Sequence, residues 1–240
     1  MKILPLNIPV AILAGGLATR LRPLTETIPK AMIPINGEPF VAHQLRLLRR
    51  QGCAKAVICA GRFAEAIRDF AGDGSAFGLR IAYSYDGERL LGTAGALRRA
   101  LPSIDADACF VLYGDSYLPC DFAPVECAFL AQGKPALMTV FRNEGAWDSS
   151  NVEFQDGVIR HYSKTDRTLQ MRYIDYGLGI LSRAVIESIP DGQPSDLAPV
   201  YERLVESGEM GAFEVRERFY EAGSFQGVAE LSEFLRQTNG

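Results

Sequence analysis

The chain has 240 residues, 48% of them hydrophobic, and a formal net charge of −4. That length and apolar content suffice for one large α/β domain with a substantial core. The negative balance argues against a general nucleic-acid binder, and Gly, Pro or a charge interrupts every apolar run short of a membrane span.

Met1 to Pro5 lacks the long apolar segment of a secretory signal. Val10 to Leu13 reads as a buried strand, and Gly15 and Gly16 after it free the backbone for a tight turn close to a ligand. Arg20, Arg22 and Lys30 follow in one loop, so glycine amides and cationic side chains together suit a polyphosphate. Phe40 to Gln51 carries Val41, Leu45 and Leu48 at helical spacing and ends at Gly52. Ala56 to Cys59 reads as the second strand, Ala64 to Ala71 as a helix, and Leu79 to Tyr83 as the third strand. Thr93 to Leu101 is helical, stopped by Pro102, and Ala108 to Tyr113 is another buried strand. Such alternation implies a mostly parallel sheet covered by helices on both faces.

The second half is less regular. Ala136 to Phe141, Asn151 to Phe154 and Val158 to Tyr162 read as strands, the last two joined as a hairpin through Gln155-Asp156-Gly157. Tyr173 to Leu181 is a further strand, with helical segments near Arg183 and from Leu197 to Glu206. Phe213 to Phe219 forms a strand pair or one edge strand, and Val228 to Arg236 an amphipathic helix. No hexapeptide repeat announces a C-terminal β-helix. The five cysteines, Cys53, Cys59, Cys109, Cys120 and Cys127, form no CxxC pair and read as reduced thiols of a cytoplasmic protein. His43 and His161 lack a matching carboxylate or cysteine pattern, which argues against histidine-driven catalysis and a histidine-rich zinc site.

Two familiar phosphate loops do not fit. No G-x-x-x-x-G-K-[ST] occurs, and Gly15-Gly16-Leu17-Ala18-Thr19-Arg20 has the wrong spacing for G-x-G-x-x-G. The second strand also ends Cys59-Ala60-Gly61 without a ribose-binding acid. The ordered string instead resembles the GGxGTRLxPxTxxxPKxxxP motif of sugar-1-phosphate nucleotidyltransferases. Here it stands as Gly15-Gly16-Leu17-Ala18-Thr19-Arg20-Leu21-Arg22-Pro23-Leu24-Thr25, with Pro29-Lys30 and Pro34 at matching distances. Ala18 occupies a glycine position, which costs about 1 kcal/mol if that residue needs a positive φ. The resemblance extends along nearly the whole chain. It implies a Rossmann-like three-layer α/β/α fold with a mixed, mostly parallel central sheet. Residues 1–120 would be the nucleotide-binding half of a single domain and 121–240 the sugar-phosphate-binding half.

Asp115 follows a buried strand and Gly114, where α/β sheets bind ligands and where a carboxylate suits Mg²⁺. An Asp capping a turn is the plainer alternative. In the family the acid of this Gly-Asp pair binds the metal, and Tyr113-Gly114-Asp115-Ser116 matches it. Relatives carry Asp-x-Gly-Thr late in the chain; Glu221-Ala222-Gly223-Ser224 stands there, one methylene longer at the acid. Gly92, Thr93, Ala94 and Gly95 resemble the segment that receives the nucleobase, or form a helix start. Lys164 matches a family lysine that grips the sugar phosphate, in degenerate surroundings. Asp175, Tyr176 and Gly177 look like the sugar-facing strand, with a packed aromatic strand as the alternative.

The resemblance implies one reaction: the phosphate of a sugar 1-phosphate attacks the α-phosphorus of a nucleoside triphosphate, with Mg²⁺ as cofactor. The anionic nucleophile needs no general base, so catalysis rests on positioning and charge neutralisation. Leu13, Ala14, Gly15, Gly16 and Thr19 would bind the nucleotide, Arg20 the triphosphate and Lys30 the α-phosphate, with Mg²⁺ on Asp115 and Glu221. The short form is similar to heptose- or mannose-1-phosphate guanylyltransferases, and also to N-acetylmuramate 1-phosphate uridylyltransferases. A phosphocholine cytidylyltransferase would need an aromatic or acidic cage, which Trp147 and the tyrosines leave open. A non-catalytic NDP-sugar-binding regulatory subunit is the alternative of another class, opposed by retention of Arg20, Lys30 and Asp115. Neither nucleic acid nor membrane is an expected partner, and a homo-oligomer is left open.

Overall fold

Strand β1 (Val10–Leu13) is buried end to end because its side chains enter two cores in alternation. Val10 and Ile12 join one, Ala11 and Leu13 the other. The computed structural model describes residues 6–16, 21 and 28–239. Leu17, Ala18, Thr19 and Arg20, and Arg22 to Thr25 of the N-terminal motif, lie outside the described residues.

A short ribbon, β2 (Pro34–Ile35) and β3 (Glu38–Pro39), leads into α1 (Phe40–Arg50). Then β4 (Lys55–Ala60), α2 (Ala64–Ala71), β5 (Arg80–Tyr85), α3 (Gly92–Ile104) and β6 (Ala108–Tyr113) alternate as the sequence predicts. β1 lies between β4 and β6, β5 flanks β4, and all these pairs are parallel. Leu45 and Leu48 of α1 and Ile67 of α2 pack into the first core; Leu97, Leu101 and Ile104 of α3 pack into the second. Helices therefore cover both faces, the three-layer α/β/α arrangement. Contrary to expectation, Pro102 does not stop α3, which continues to Ile104. Burial of Leu101 and Ile104 against the sheet outweighs the one backbone bond that the proline removes.

The second half comprises β7 (Ser116–Tyr117), α4 (Phe122–Gln132), β8 (Ala136–Arg142), β9 (Val152–Gln155), β10 (Val158–Tyr162) and β11 (Tyr173–Ser182). After these come α5 (Arg183–Glu187), α6 (Leu197–Glu206), β12 (Met210–Val215), β13 (Tyr220–Glu221) and α7 (Phe225–Asn239). β11 pairs antiparallel with β6 and merges both halves into one nine-stranded mixed sheet. β8 takes the other edge of β11, and β12 adds to β8 in parallel. Of the two alternatives for Phe213 to Phe219 the edge strand holds, but it runs from Met210 and ends at Val215. The β9–β10 hairpin turns at Asp156 (φ 53°) and Gly157 (φ 77°), the pair of positive values that a tight two-residue loop demands.

Helix α4 escapes a periodicity reading, because its apolar residues surround the whole axis and Pro124 interrupts the string. Pro124 falls in the first turn, where its missing N–H costs nothing. Cys53, Cys59, Cys109 and Cys120 are buried free thiols and Cys127 on α4 is exposed. The Nε2 atom of buried His43 lies 2.9 Å from the carbonyl oxygen of Ile35, a structural tie. Among the described residues no helix is long and apolar enough to cross a membrane.

Candidate active site

The chain leaves β1 toward β4 on one side and returns to β6 on the other, so the strand order reverses beside β1. Open α/β sheets bind ligands at the C-terminal ends of strands at such a point. The Gly114 N–H donates to the Leu13 carbonyl at 2.9 Å, and a Cβ at Gly114 would stand 2.7 Å from the Cα of Ala14. Only a glycine lets these two strand ends close. From α1, the buried Gln44 amide donates to the carbonyls of Tyr113 (3.0 Å) and Ser116 (2.8 Å), bracketing the turn that presents Asp115. On the far side the Ala222 N–H donates to the Asp115 carbonyl at 2.8 Å, and Glu221 pairs with Ser116 across β7 and β13. Lys30, in a short 3-10 turn (Lys30–Met32), reaches in and forms an ion pair with Asp115 Oδ2.

A cavity of about 330 Å³ opens along Leu13, Ala14, Gly15 and Gly16, with Lys30 and Asp115 in its wall. Neither Gly15 nor Gly16 takes a positive φ, so the turn itself does not require them. A Cβ at Gly16 would meet nothing within 4 Å among the described residues. Gly92 and Thr93 also line this cavity, whereas Ala94 and Gly95 do not. Their N–H groups donate to the Ser195 carbonyl (3.0 and 3.2 Å), and a Cβ at Gly95 would stand 2.7 Å from the Gln193 carbonyl oxygen. That glycine seats α3 against the 193–195 loop.

Two acids in this wall were not read from the sequence. Asp86 follows β5, and its Oδ2 accepts from the Leu91 N–H at 3.2 Å. Burial pushes its carboxyl above the ordinary range, with Leu91 N–H and Arg99 opposing. The signal was the same as for Asp115, an acid just past a strand, but the predicted strand stopped at Tyr83, too early to expose it. Asp196 Oδ1 accepts from both the N–H (3.2 Å) and the hydroxyl (3.3 Å) of Thr93.

A second cavity, of about 410 Å³, shares Tyr113 and Asp115 with the first. Glu221, Lys164, Asp175, Tyr176 and Gly177 all line it. The pairing of β11 with β8 slips between Asp175 and Gly179, and Gly177 takes φ 93°. This bulge re-aims the strand, as bulges beside sites commonly do. Asp175 Oδ1 accepts from the Gly177 N–H at 3.0 Å, and Asn151 Oδ1 accepts from the Asp175 N–H at 2.9 Å. Burial raises the Asp175 carboxyl above its ordinary range, while Lys164 and the Gly177 N–H pull it back. The Lys164 ammonium lies 5.5 Å from the centre of the Tyr113 ring. Asp148, Ser149 and Arg167 also face this cavity; on irregular loops they carry no periodic signal.

Among the described residues no group of three or more His, Cys, Asp and Glu is placed to hold a metal. The two carboxylates Asp115 and Glu221 do share one cavity, and Asp115 already accepts a cation in the form of the Lys30 ammonium. One or two carboxylates completed by phosphate oxygens is a donor set that fits Mg²⁺. Thr19 and Arg20 lie outside the described residues.

Residues 10–168, which carry β1, both glycines, Lys30, Asp115 and Lys164, match the family model for nucleotidyl transferases. The chain belongs to that family. This nucleotidyl transferase is 34% identical over 217 residues to a UTP–glucose-1-phosphate uridylyltransferase of Synechocystis, covering 82% of this chain and 55% of that protein. It is 31% identical to a D-glycero-alpha-D-manno-heptose 1-phosphate guanylyltransferase of Campylobacter jejuni, covering 72% of this chain and 76% of that protein. The chain thus spans about half the length of the Synechocystis relative. Its fold is that of HddC from Yersinia pseudotuberculosis complexed with GMP-PN, with a TM-score of 0.79 at 24% identity over 95% of this chain and 99% of the other.

Proposed function

We propose that this nucleotidyl transferase joins a nucleoside triphosphate to a sugar 1-phosphate, releasing pyrophosphate and an NDP-sugar. The observation that carries the reading is the common wall: Tyr113 and Asp115 belong to both cavities. The nucleotide would lie along Leu13 to Gly16, in the half formed by residues 1–120. The acceptor would lie in the half formed by 121–240, its phosphate on Lys164 and its hydroxyls toward Asp175 and Tyr176, with Gly177 leaving room for the ring. An oxygen of the 1-phosphate bonds to the α-phosphorus as the bond to the β-phosphate oxygen breaks. The attacking oxygen is anionic near neutral pH, so no proton has to be removed. Lys30, standing where the cavities meet, neutralises charge at the α-phosphate. Arg20 is assigned to the triphosphate. Asp115 and Glu221 would hold Mg²⁺, which when bound supplies positive charge to phosphate oxygens.

For the base we favour guanine. Asp86 offers carboxylate oxygens, which accept hydrogen bonds and donate none when ionised. The guanine edge carries two adjacent donors, N1–H and the 2-amino group. Uracil presents a single N–H between two carbonyls, which a carboxylate repels. The Campylobacter guanylyltransferase and the HddC complex with GMP-PN agree with this choice. A heptose or mannose-like 1-phosphate is the proposed acceptor. A uridylyltransferase is the second reading, favoured by the 34% likeness to the Synechocystis protein. A choline cage loses support, since the Arg218 guanidinium already lies 3.4 Å from the centre of the Trp147 ring. A non-catalytic subunit is disfavoured because Lys30 and Asp115 are both kept in contact. Four thiols buried as small apolar side chains support a cytoplasmic setting.

The test is pyrophosphate release with Mg²⁺ over a grid of GTP, UTP, CTP, dTTP and ATP against hexose, heptose and amino-sugar 1-phosphates and phosphocholine. GTP with a heptose or mannose 1-phosphate is the expected pair. Turnover with UTP instead would replace guanine by uracil. Silence across the grid from protein that binds an NDP-sugar would favour the regulatory reading.

A further inference from the structure

We propose that Arg218 is a positioning residue for the acceptor site: its guanidinium, stacked on Trp147, holds the loop 143–151 in register with Glu221 across the second cavity. The inference rests on the reading of that cavity as the acceptor site. The loop joins β8 to β9 and is organised around buried Asn143. Asn143 Nδ2 donates to the Asp148 carbonyl (2.6 Å) and to Ser150 Oγ (3.1 Å), and its Oδ1 accepts from the Trp147 N–H (3.3 Å). The loop therefore moves as one piece, and what fixes Trp147 also fixes Asp148 and Ser149, the residues it contributes to the cavity.

Trp147 is 49% exposed, so apolar burial alone does not hold it. Arg218 does. Its guanidinium carbon lies 3.4 Å from the centre of the Trp147 ring and 4.8 Å from that of Tyr220. The cation is thus shared by two ring faces, and a planar guanidinium can stack flat on a ring where an ammonium cannot. Beyond it, Arg218 forms an ion pair with Glu230 of α7, and Tyr220 stacks on Phe234 of α7 at 4.3 Å. Buried Arg218 Nε has no hydrogen-bond partner among the described residues, so ring faces and Glu230 define its place. Tyr220 immediately precedes Glu221. One guanidinium consequently fastens both the loop bearing Asp148 and Ser149 and the strand bearing Glu221, which face the same cavity.

Two measurements on the full chain test this. In steady-state assays with the active pair, Arg218→Ala should raise KM for the sugar 1-phosphate about five- to tenfold, the scale of a lost cation–π contact, and raise KM for the triphosphate by clearly less, because only Glu221 links Arg218 to the metal site. Arg218→Lys should recover only part of that loss, with thermal melting confirming that both variants fold. A stack that merely stabilises the fold would shift both KM values alike or neither, and either result overturns the proposal. Trp147 is the sole tryptophan of the chain, so its fluorescence reports on the loop directly. Acrylamide should quench it more strongly in Arg218→Ala than in the wild type, and sugar 1-phosphate should shift its emission in the wild type. Unchanged quenching overturns the strut whatever the activity. Increased quenching in a protein silent across the substrate grid would keep the strut and discard the acceptor assignment.

Discussion

Lys30 and Asp115 neutralise one another at the junction of the two cavities, the lysine side chain 13% exposed and the carboxylate 30%. Substrate binding has to divide this pair, since each partner is assigned to a new counter-charge, phosphate for the lysine and metal for the acid. Removing either leaves the other uncompensated in a poorly solvated place. Asp115→Asn should therefore slow turnover about 100- to 1,000-fold, as loss of a group aimed at developing charge commonly does. Lys30→Met should act similarly, and the double variant should lose less than the sum of the two. Single-turnover pyrophosphate release at saturating substrates is the measurement. Near-normal rates in Asp115→Ala would remove the residue from the chemistry.

Gln44 makes a second prediction. Its amide satisfies two carbonyls, on either side of the Asp115 turn. Gln44→Leu keeps the bulk but orphans both acceptors, at about 1–3 kcal/mol each. We expect a lower melting temperature together with a fall in kcat, because the turn that aims Asp115 loses its brace. Loss of stability with kcat intact would make Gln44 a core residue only.

The first half of the fold was legible because each strand is a short apolar run closed by a turn residue, and each helix has one apolar face. Helix α4 was not, since a helix apolar all round has no period to detect, and α3 outran Pro102 because tertiary burial overrode a local breaker. At the site, Lys30 belongs to the N-terminal string and Asp115 to a strand end, whereas Lys164, Asp175 and Glu221 could be named in advance only through the family resemblance. Gln44, Asp148 and Asp196 could not. Gln44 sits among apolar neighbours on a helix, and the other two occupy loops whose course is decided by distant contacts, such as Thr93 on Asp196.

Asp175 should disclose itself through pH. Its folded value is raised by burial, so the folded state holds the proton more tightly than the unfolded chain. The resulting stability is complete below the unfolded value of about 4 and is lost as pH rises through the folded value. Asp175→Asn abolishes that loss. Its denaturation midpoint should gain on the wild type as pH rises above about 4, while KM for the sugar 1-phosphate rises. A pH-independent difference would mean that Asp175 is not the group concerned.

Asp86 should decide the base. In Asp86→Asn one acceptor becomes a donor, which opposes the guanine edge and tolerates a carbonyl. The ratio of kcat/KM for GTP over UTP should fall about 100-fold, as expected where a site built for a hydrogen bond loses it. An unchanged ratio would place base reading elsewhere in the first cavity.

The unequal exposure of the cysteines makes the molecule convenient to instrument. Burial pushes the Cys53 thiol up to about 11 and those of Cys109 and Cys120 to about 12, and Cys59 is raised as well. Cys127 on α4 remains the one thiol open to a maleimide. A dye placed there, read against the lone indole of Trp147, turns the unmodified sequence into a ruler from the back of the sheet to the mouth of the second cavity.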